Sequence, residues 1–573
     1  MNSRIMLTLV ALMAPAVLSA QSNEDLKKQI EQLKVQLKAV EEKANAAQEL
    51  DTRLVKVETK VAGDNIQWGG DLRTRFESST WTFKPYQQFM GFAQTAGYPG
   101  PLPPGYNMPF VALTQQVPGQ DYTNSVQWST RLRLKMGITI NEHAKIMGRL
   151  TMYKVHGGAD VPTFNGSPNT VQNSFNDAKV PGTDVLRVER ASLVYDFPMA
   201  ILSIGRQNTS DGPPFEVKDG TERQATPQAL AVNALVDGIG LKFPLEKLGL
   251  PEGTLLGLCY GVGYESGFGG GGNVKASAAP VGFNFSNVNW TAQGPNAAAA
   301  TLQVKGIGPL KDSTVLGAMF DMPLLFQLGE SVQSANFYLG FNRFGNMTDI
   351  PFGSTNNFPV PAMPGMGGMP AIQYVTATNN LGDMDQWTVT WKHKIGDTFT
   401  YFASYGHIKS NPNGNESQYG AYWDMPANMG GAGYRVTGFG GLLGDAKNSQ
   451  TASAYYVGMR WDPTQTFGVG VEFNHGSPRW FTYSPATGEA TEKLGTRGDV
   501  WEGYIHWQFA KNAAFRLGYL DYKYSHAFSG WHIAPSPMSG SWEDAFDLSK
   551  NPMLQYGFPA AVKTTYASIE VKF

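Results

Sequence analysis

From Ile66 to the last residue, apolar and polar positions alternate with a period of two. In IQWGGDLRTRF, residues Ile66, Trp68, Leu72, Thr74 and Phe76 share one face, and Gln67, Asp71, Arg73 and Arg75 share the other. In SVQWSTRLRLKMGITI the apolar set is Val126, Trp128, Thr130, Leu132, Leu134, Met136, Ile138 and Ile140, opposite Arg131, Arg133 and Lys135. Successive side chains of a strand point to opposite faces, so each stretch predicts a strand with one greasy and one polar side. The pattern recurs in ANFYLGFNR, QWTVTWKHK, FTYFASYGH, AYYVGMRW, FGVGVEFNH and VWEGYIHWQF. It closes the chain in AVKTTYASIEVKF, where Thr565, Ala567, Ile569, Val571 and Phe573 face one way and Tyr566, Ser568, Glu570 and Lys572 the other.

The connections alternate in length, which predicts topology. Short turns at 141–143, 394–398, 462–466 and 510–512 alternate with long segments near 77–124, 156–183, 207–233, 265–299, 346–382, 410–450, 476–498 and 525–560. Short turns on one side and long loops on the other are the arrangement of a transmembrane β-barrel. Loops of such length count against a compact soluble domain. About sixteen antiparallel strands are expected. In the 300–322 region, TLQVKGIG and STVLGAMFDM form either one interrupted strand or two, and one gives sixteen. Trp128, Trp387, Trp391, Tyr401, Trp461, Trp507 and Tyr519 near strand ends predict interfacial girdles.

Two other periods precede the barrel. Residues 1–20 read as an export signal, with Arg4, an apolar run from Ile5 to Val17 and small residues at Ser19-Ala20. From 21 to 62, Leu26, Ile30, Leu33, Leu37, Val40, Ala44 and Ala47 step by fours and threes. Leu50, Leu54, Val57 and Val61 continue the seam after a stammer. This predicts an α-helical coiled coil, with a homotrimer as the expected partner arrangement. The predicted fold is thus an all-β transmembrane barrel, residues 63–573, behind an N-terminal coiled coil placed in the periplasm.

Composition fits the barrel. The 573 residues include 65 Gly, 24 Tyr, 32 Phe and 13 Trp, with only 16% charged residues, as two opposed faces averaging out would give. A net charge of −2 offers nothing to nucleic acid. The single cysteine, Cys259, excludes an internal disulfide, a cysteine-based zinc site and a C-x-x-C-H haem attachment.

Several segments resemble the family of Gram-negative outer-membrane proteins known as domain-of-unknown-function family 3373. They are SIGRQNTSDGPPFEVKDGTERQATPQALAVNALVDGIGLKF (203–243), VEFNHGSPRWF (471–481), LGTRGDVWEGY (494–504), LGYLDYKY (517–524) and GWHIAPS (530–536). WGGDLRTRFE (68–77) is similar too, although many coiled-coil porins share that opening. The resemblance implies an exported porin-type barrel in outer-membrane lipid, with no assigned substrate. The carboxyl-terminal Phe573 also resembles the signal that the barrel assembly machinery reads in outer-membrane proteins.

Two constellations are candidates for function. Arg73, Arg75, Arg131, Arg133, Lys135 and Arg149 would line one lumen wall as a basic ladder, opposed by acids at Asp71, Glu472 and Glu502. The 207–233 segment, the third long connection, carries Asp211, Glu216, Lys218, Asp219, Glu222 and Arg223 around Pro213-Pro214 and is expected to fold into the pore as a constriction. An enzyme is not expected, and no cofactor is implied. The eight histidines include no H-x-x-x-H pair. The glycine run 267–273 opens no helix that would cradle phosphate. The expected function is a porin for small hydrophilic solutes or ions, leaning to anions. The alternatives are a sheath for a separate multihaem cytochrome and a non-conducting adhesin.

Overall fold

A computed structural model describes residues 23–63, 66–83, 85–94, 110–156, 186–208, 212–220, 226–264, 272–285, 288–290, 301–328, 331–349, 379–416, 422–423, 436–437, 441–483, 493–526, 529–530, 532–533 and 559–573. The chain divides into two compact units, Met1–Ile66 and Gln67–Phe573. Within the first, α1 spans Asn23–Gly63. Its seam residues Ile30, Leu33, Leu37 and Val40 are all exposed. Leu26, Leu54 and Val57 lie within the same span.

The second unit is a closed barrel of sixteen strands. In chain order they are β1 (Ile66–Phe83), β2 (Gln120–Thr139), β3 (Ala144–Val155), β4 (Arg187–Asp196), β5 (Ile201–Asn208), β6 (Leu235–Pro244), β7 (Leu255–Tyr264) and β8 (Ser313–Leu328). They continue as β9 (Ser331–Thr348), β10 (Asn380–Ile395), β11 (Phe399–Pro412), β12 (Thr451–Thr464), β13 (Phe467–Gly476), β14 (Gly498–Ala510), β15 (Ala513–Tyr524) and β16 (Pro559–Lys572). Each pairs antiparallel with its sequence neighbour, and β16 returns to β1 with Arg73 opposite Glu570 and Arg75 opposite Ser568. The doubtful 300–322 region supplies one barrel strand, β8, while Thr301–Pro309 pairs with Gly272–Phe285 in a separate three-stranded sheet.

Closure leaves no edge, so every strand's N–H and C=O groups have partners without water. The period-two pattern then sorts the faces. On β14, Val500, Glu502, Tyr504 and His506 are buried and Trp501 and Trp507 exposed; on β16, Val562, Thr564, Tyr566 and Ser568 are buried and Ile569 exposed. The outer face carries Leu258, Tyr260, Leu316, Leu339, Trp387, Tyr405, Val457 and Leu517, all exposed, which suits a hydrocarbon surrounding. Toward the short-turn end, register aligns Phe337 with Trp391, Phe399 with Trp461, and Phe467 with Trp507. The chain end is tied in as well: Gly70 and Phe573 exchange two backbone hydrogen bonds, at 2.8 and 3.1 Å. A Cβ on Gly70 would meet the Phe573 ring at 2.7 Å and the Arg133 carbonyl at 2.4 Å, so only glycine lets the terminus close on β1.

The apolar core lies within the barrel ring rather than between layers. Phe215, Val217, Leu230 and Val232 from the β5–β6 connection pack with Phe344, Phe402, Tyr456, Trp480, Leu442 and Ile533 in one buried cluster.

Candidate functional site

The basic ladder occupies the inward face of β1–β3, and alternation alone puts it there. Arg73, Arg75 and Arg131 are buried, at 8, 5 and 4% exposure, while Lys135 is exposed. Its members do not stand as naked charges. Arg131 and Arg133 both donate to Asp71 at 2.9 Å, and Arg131 also lies 3.7 Å from Glu570. Arg75 pairs with Glu77 at 2.6 Å and sits 3.9 Å over the Tyr566 ring. Arg149 pairs with Glu189 at 2.7 Å. A guanidinium fork meets a carboxylate with two parallel donors, which suits such partly buried pairs.

The third long connection enters the barrel ring. Its helix α2, Phe215–Asp219, ends at Gly220 in the left-handed region (φ +63°), where a Cβ would meet Arg460 Nη1 at 2.8 Å. Three charges of this short helix are met by three strands. Glu216 pairs with Lys392 of β10 at 2.8 Å, Lys218 with Glu502 of β14 at 3.1 Å, and Asp219 with Arg516 of β15 at 2.8 Å. Arg460 of β12 donates to the Val217 and Lys218 carbonyls at 3.0 and 3.2 Å, satisfying helix-end acceptors. The apolar run after α2 is buried throughout, Ala229, Leu230 and Ala234 at 0%. Asp211, Glu222 and Arg223 lie outside the described residues.

A second connection meets the first at Glu502. Lys493, between β13 and β14, is 2% exposed and places Nζ 2.6 Å from Glu502 and against Glu472. Tyr566 donates to Glu502 at 2.7 Å and Tyr456 donates to Glu472. Two ammonium groups and two carboxylates therefore close a buried, neutral network in which each carboxylate also accepts from a phenol. Above it the two connections are zipped together: Thr482 Oγ1 donates to the Leu230 carbonyl at 2.7 Å, and Asn233 N to the Tyr483 carbonyl at 2.7 Å. Further out, burial pushes the Tyr483 phenol well above its ordinary range.

The ladder, Glu472 and Glu502 were all marked by residue type and parity. Lys493, Arg460, Arg516 and Lys392 were not. Lys493 lies in a loop, where no period assigns a side, and the others gain their role only from the segment that docks on them. Among the described residues, no group of three or more His, Cys, Asp or Glu could hold a metal ion.

A protein-family profile described as Protein of unknown function (DUF3373) matches residues 121–573. Curated proteins give no match. Among solved structures, outer-membrane expressed OmpT of Vibrio cholerae is similar at 10% identity and a TM-score of 0.35, over 89% of this chain and 97% of that one. OprB of Pseudomonas putida is 9% identical with a TM-score of 0.38, over 90% and 96%. The outer membrane channel DcaP of Acinetobacter baumannii is 10% identical with a TM-score of 0.33, over 89% and 97%.

Proposed function

The chain belongs to the DUF3373 family, and from that premise we propose that it is an outer-membrane channel for passive diffusion of small hydrophilic solutes or ions, with a preference for anions. The observation that carries the reading is the closed sixteen-stranded ring with an apolar outer and a charged inner face. A ring of that size encloses more space than strand side chains fill. Here the β5–β6 connection takes up part of it, on the β9–β15 side, and acts as a fixed constriction. The passage left to solutes runs along the β1–β4 wall, where the exposed Lys135 and the partly accessible Arg133 and Arg149 select by charge. The work requires no cofactor and no chemical step. In this reading α1 lies in the periplasm and self-associates through its exposed seam, with a homotrimer as the assembly, and Phe573 is the mark for barrel assembly.

The buried mass formed by the β5–β6, β11–β12 and β13–β14 connections favours a second reading, a closed barrel whose outer loops bind a surface ligand. Conductance separates the two. Full-length protein extracted in detergent and placed in a planar bilayer under a salt gradient should give discrete steps, grouped in threes, reversing toward the anion potential. Silence from protein that shows the heat-dependent mobility of a folded barrel would remove the channel reading and leave the surface one.

A further inference from the structure

The ladder is not uniform along its length. In its upper part carboxylates stand among the guanidinium groups: Asp71 takes Arg131 and Arg133, and Glu77 takes Arg75. The next row is different. Lys135 on β2 stands directly opposite Arg149 on β3, and Arg149 directly opposite Arg190 on β4. Three cations thus lie side by side across three neighbouring strands, all on the lumen face.

Arg190 reaches that face through a bulge. Register runs Arg149 to Arg190 but Leu150 to Val188, so Glu189 is the extra residue. Val188 is exposed on the outer face, while Glu189 is wholly buried and turned inward beside Arg190. Glu189 spends its carboxylate on Arg149, at 2.7 Å. Arg190 donates to Ser192 Oγ at a long 3.4 Å. Around Lys135 stand the cations Arg133, Arg149 and Lys572 and the carboxylate Asp71, which two guanidinium groups already share. Arg190 feels Arg149, and it in turn acts on Lys242 of β6.

Like charges set directly opposite across a ladder destabilise it, and bulges are kept where they re-aim a side chain. The bulge brings Glu189 and Arg190 inward together. With Glu189 committed to Arg149, the row keeps Lys135 and Arg190 as two further cations beside that pair, and an anion held between them balances the excess. Neighbouring strands lie about 4.8 Å apart, so the outer two backbones are separated by about 10 Å. Long lysine and arginine side chains converge across that span on one polyvalent group. Guanidinium forks match the paired oxygens of carboxylate and phosphate better than a spherical halide. Lys135 is exposed and Arg149 keeps 12% of its side chain accessible, so the row is open to the lumen.

We propose that Lys135, Arg149 and Arg190 form an oxyanion-binding site on the lumen wall, for a polyvalent phosphate or short dicarboxylate. As a step in permeation it rests on the channel reading, but as a binding site it stands without it. The test therefore measures binding and conductance separately. Inorganic phosphate, succinate and chloride are titrated calorimetrically into detergent-solubilised full-length protein, at constant ionic strength. Phosphate or succinate should bind saturably, and chloride should not. Lys135→Gln and Arg190→Gln together should weaken that binding at least tenfold. Among the described residues neither has a buried carboxylate partner, so both variants are expected to fold, and heat-dependent mobility checks this. Arg149 is left in place because its loss would strand Glu189. No saturable oxyanion binding, or equal binding by wild type and the folded double variant, would overturn the site. In bilayers, phosphate should depress chloride current in wild type and do so about tenfold less effectively in the variant. Binding without any conductance would keep the site and remove the channel.

Discussion

At the scale of single residues, what matters is how much a buried polar group depends on its partners. His532 is wholly buried in the β15–β16 connection, with Nε2 donating to the Thr348 carbonyl and its ring 5.5 Å from that of Phe481. Burial pushes its imidazole down to about 4 from an ordinary 6.5, the Thr348 bond opposes this, and the Arg497 guanidinium adds to the depression. Between those two values the opened loops bind a proton that the packed loops refuse, so packing loses stability as pH falls from 6.5 toward 4. Over that interval the loss approaches about 3 kcal/mol. Tryptophan fluorescence of folded protein should therefore report loosening around the buried Trp480 in that window. His532→Gln, which keeps a donor for Thr348 and cannot titrate, should flatten the transition. An unchanged titration in the variant would assign it elsewhere.

At the scale of elements, the β5–β6 connection is held by charge as much as by apolar contact. Burying Phe215, Val217, Leu230 and Val232 contributes about 1.5–3 kcal/mol for each side chain. The Lys218, Lys493, Glu472 and Glu502 network adds orientation, because each member is stable only while its partners are present. Glu502→Gln should cost about 3–5 kcal/mol locally by leaving two buried ammonium groups with one carboxylate. The expected result is protease cleavage within 209–234 in a barrel that still resists heat, with a larger single-channel conductance. A variant as resistant as wild type would mean that the apolar contacts suffice. The ladder obeys the same rule: Asp71, Glu77 and Glu189 hold its guanidinium groups in fixed rows, which a channel needs if it is to read charge by position.

At the scale of the whole molecule, the barrel ring satisfies its own backbone, whereas α1 presents an exposed apolar seam. Ile30, Leu33, Leu37 and Val40 are 47, 63, 62 and 61% exposed. In the proposed assembly this stripe packs against other copies of itself, and packing of such seams is what stabilises a helix of this kind. If the proposed trimer forms through α1, replacing Ile30, Leu33 and Leu37 with Ser should shift detergent-solubilised protein from trimer to monomer in light scattering, while each barrel keeps its unit conductance. Trimers that persist would place the association on the barrel wall.

Fold class was determined by the sequence alone, because the features that encode it are local. Parity places Arg73, Arg131 and Lys135 on one side of a strand and Leu132 and Leu134 on the other, whatever the strands around them do. Loop lengths orient the turns, and the heptad steps mark α1 as helix. Tertiary structure decided what parity leaves open. A bulge of one residue turned Glu189 and Arg190 inward together, which no period predicts. Asp71, adjacent in sequence to none of the β2 cations, became their shared partner only because β1 lies beside β2 once the ring closes. Lys493 has no period to assign it a side, and it reaches Glu502 only because the β13–β14 connection folds back over the β5–β6 connection. Alternation is set by the geometry of one chain, but the partners of a charge are set by which chains meet.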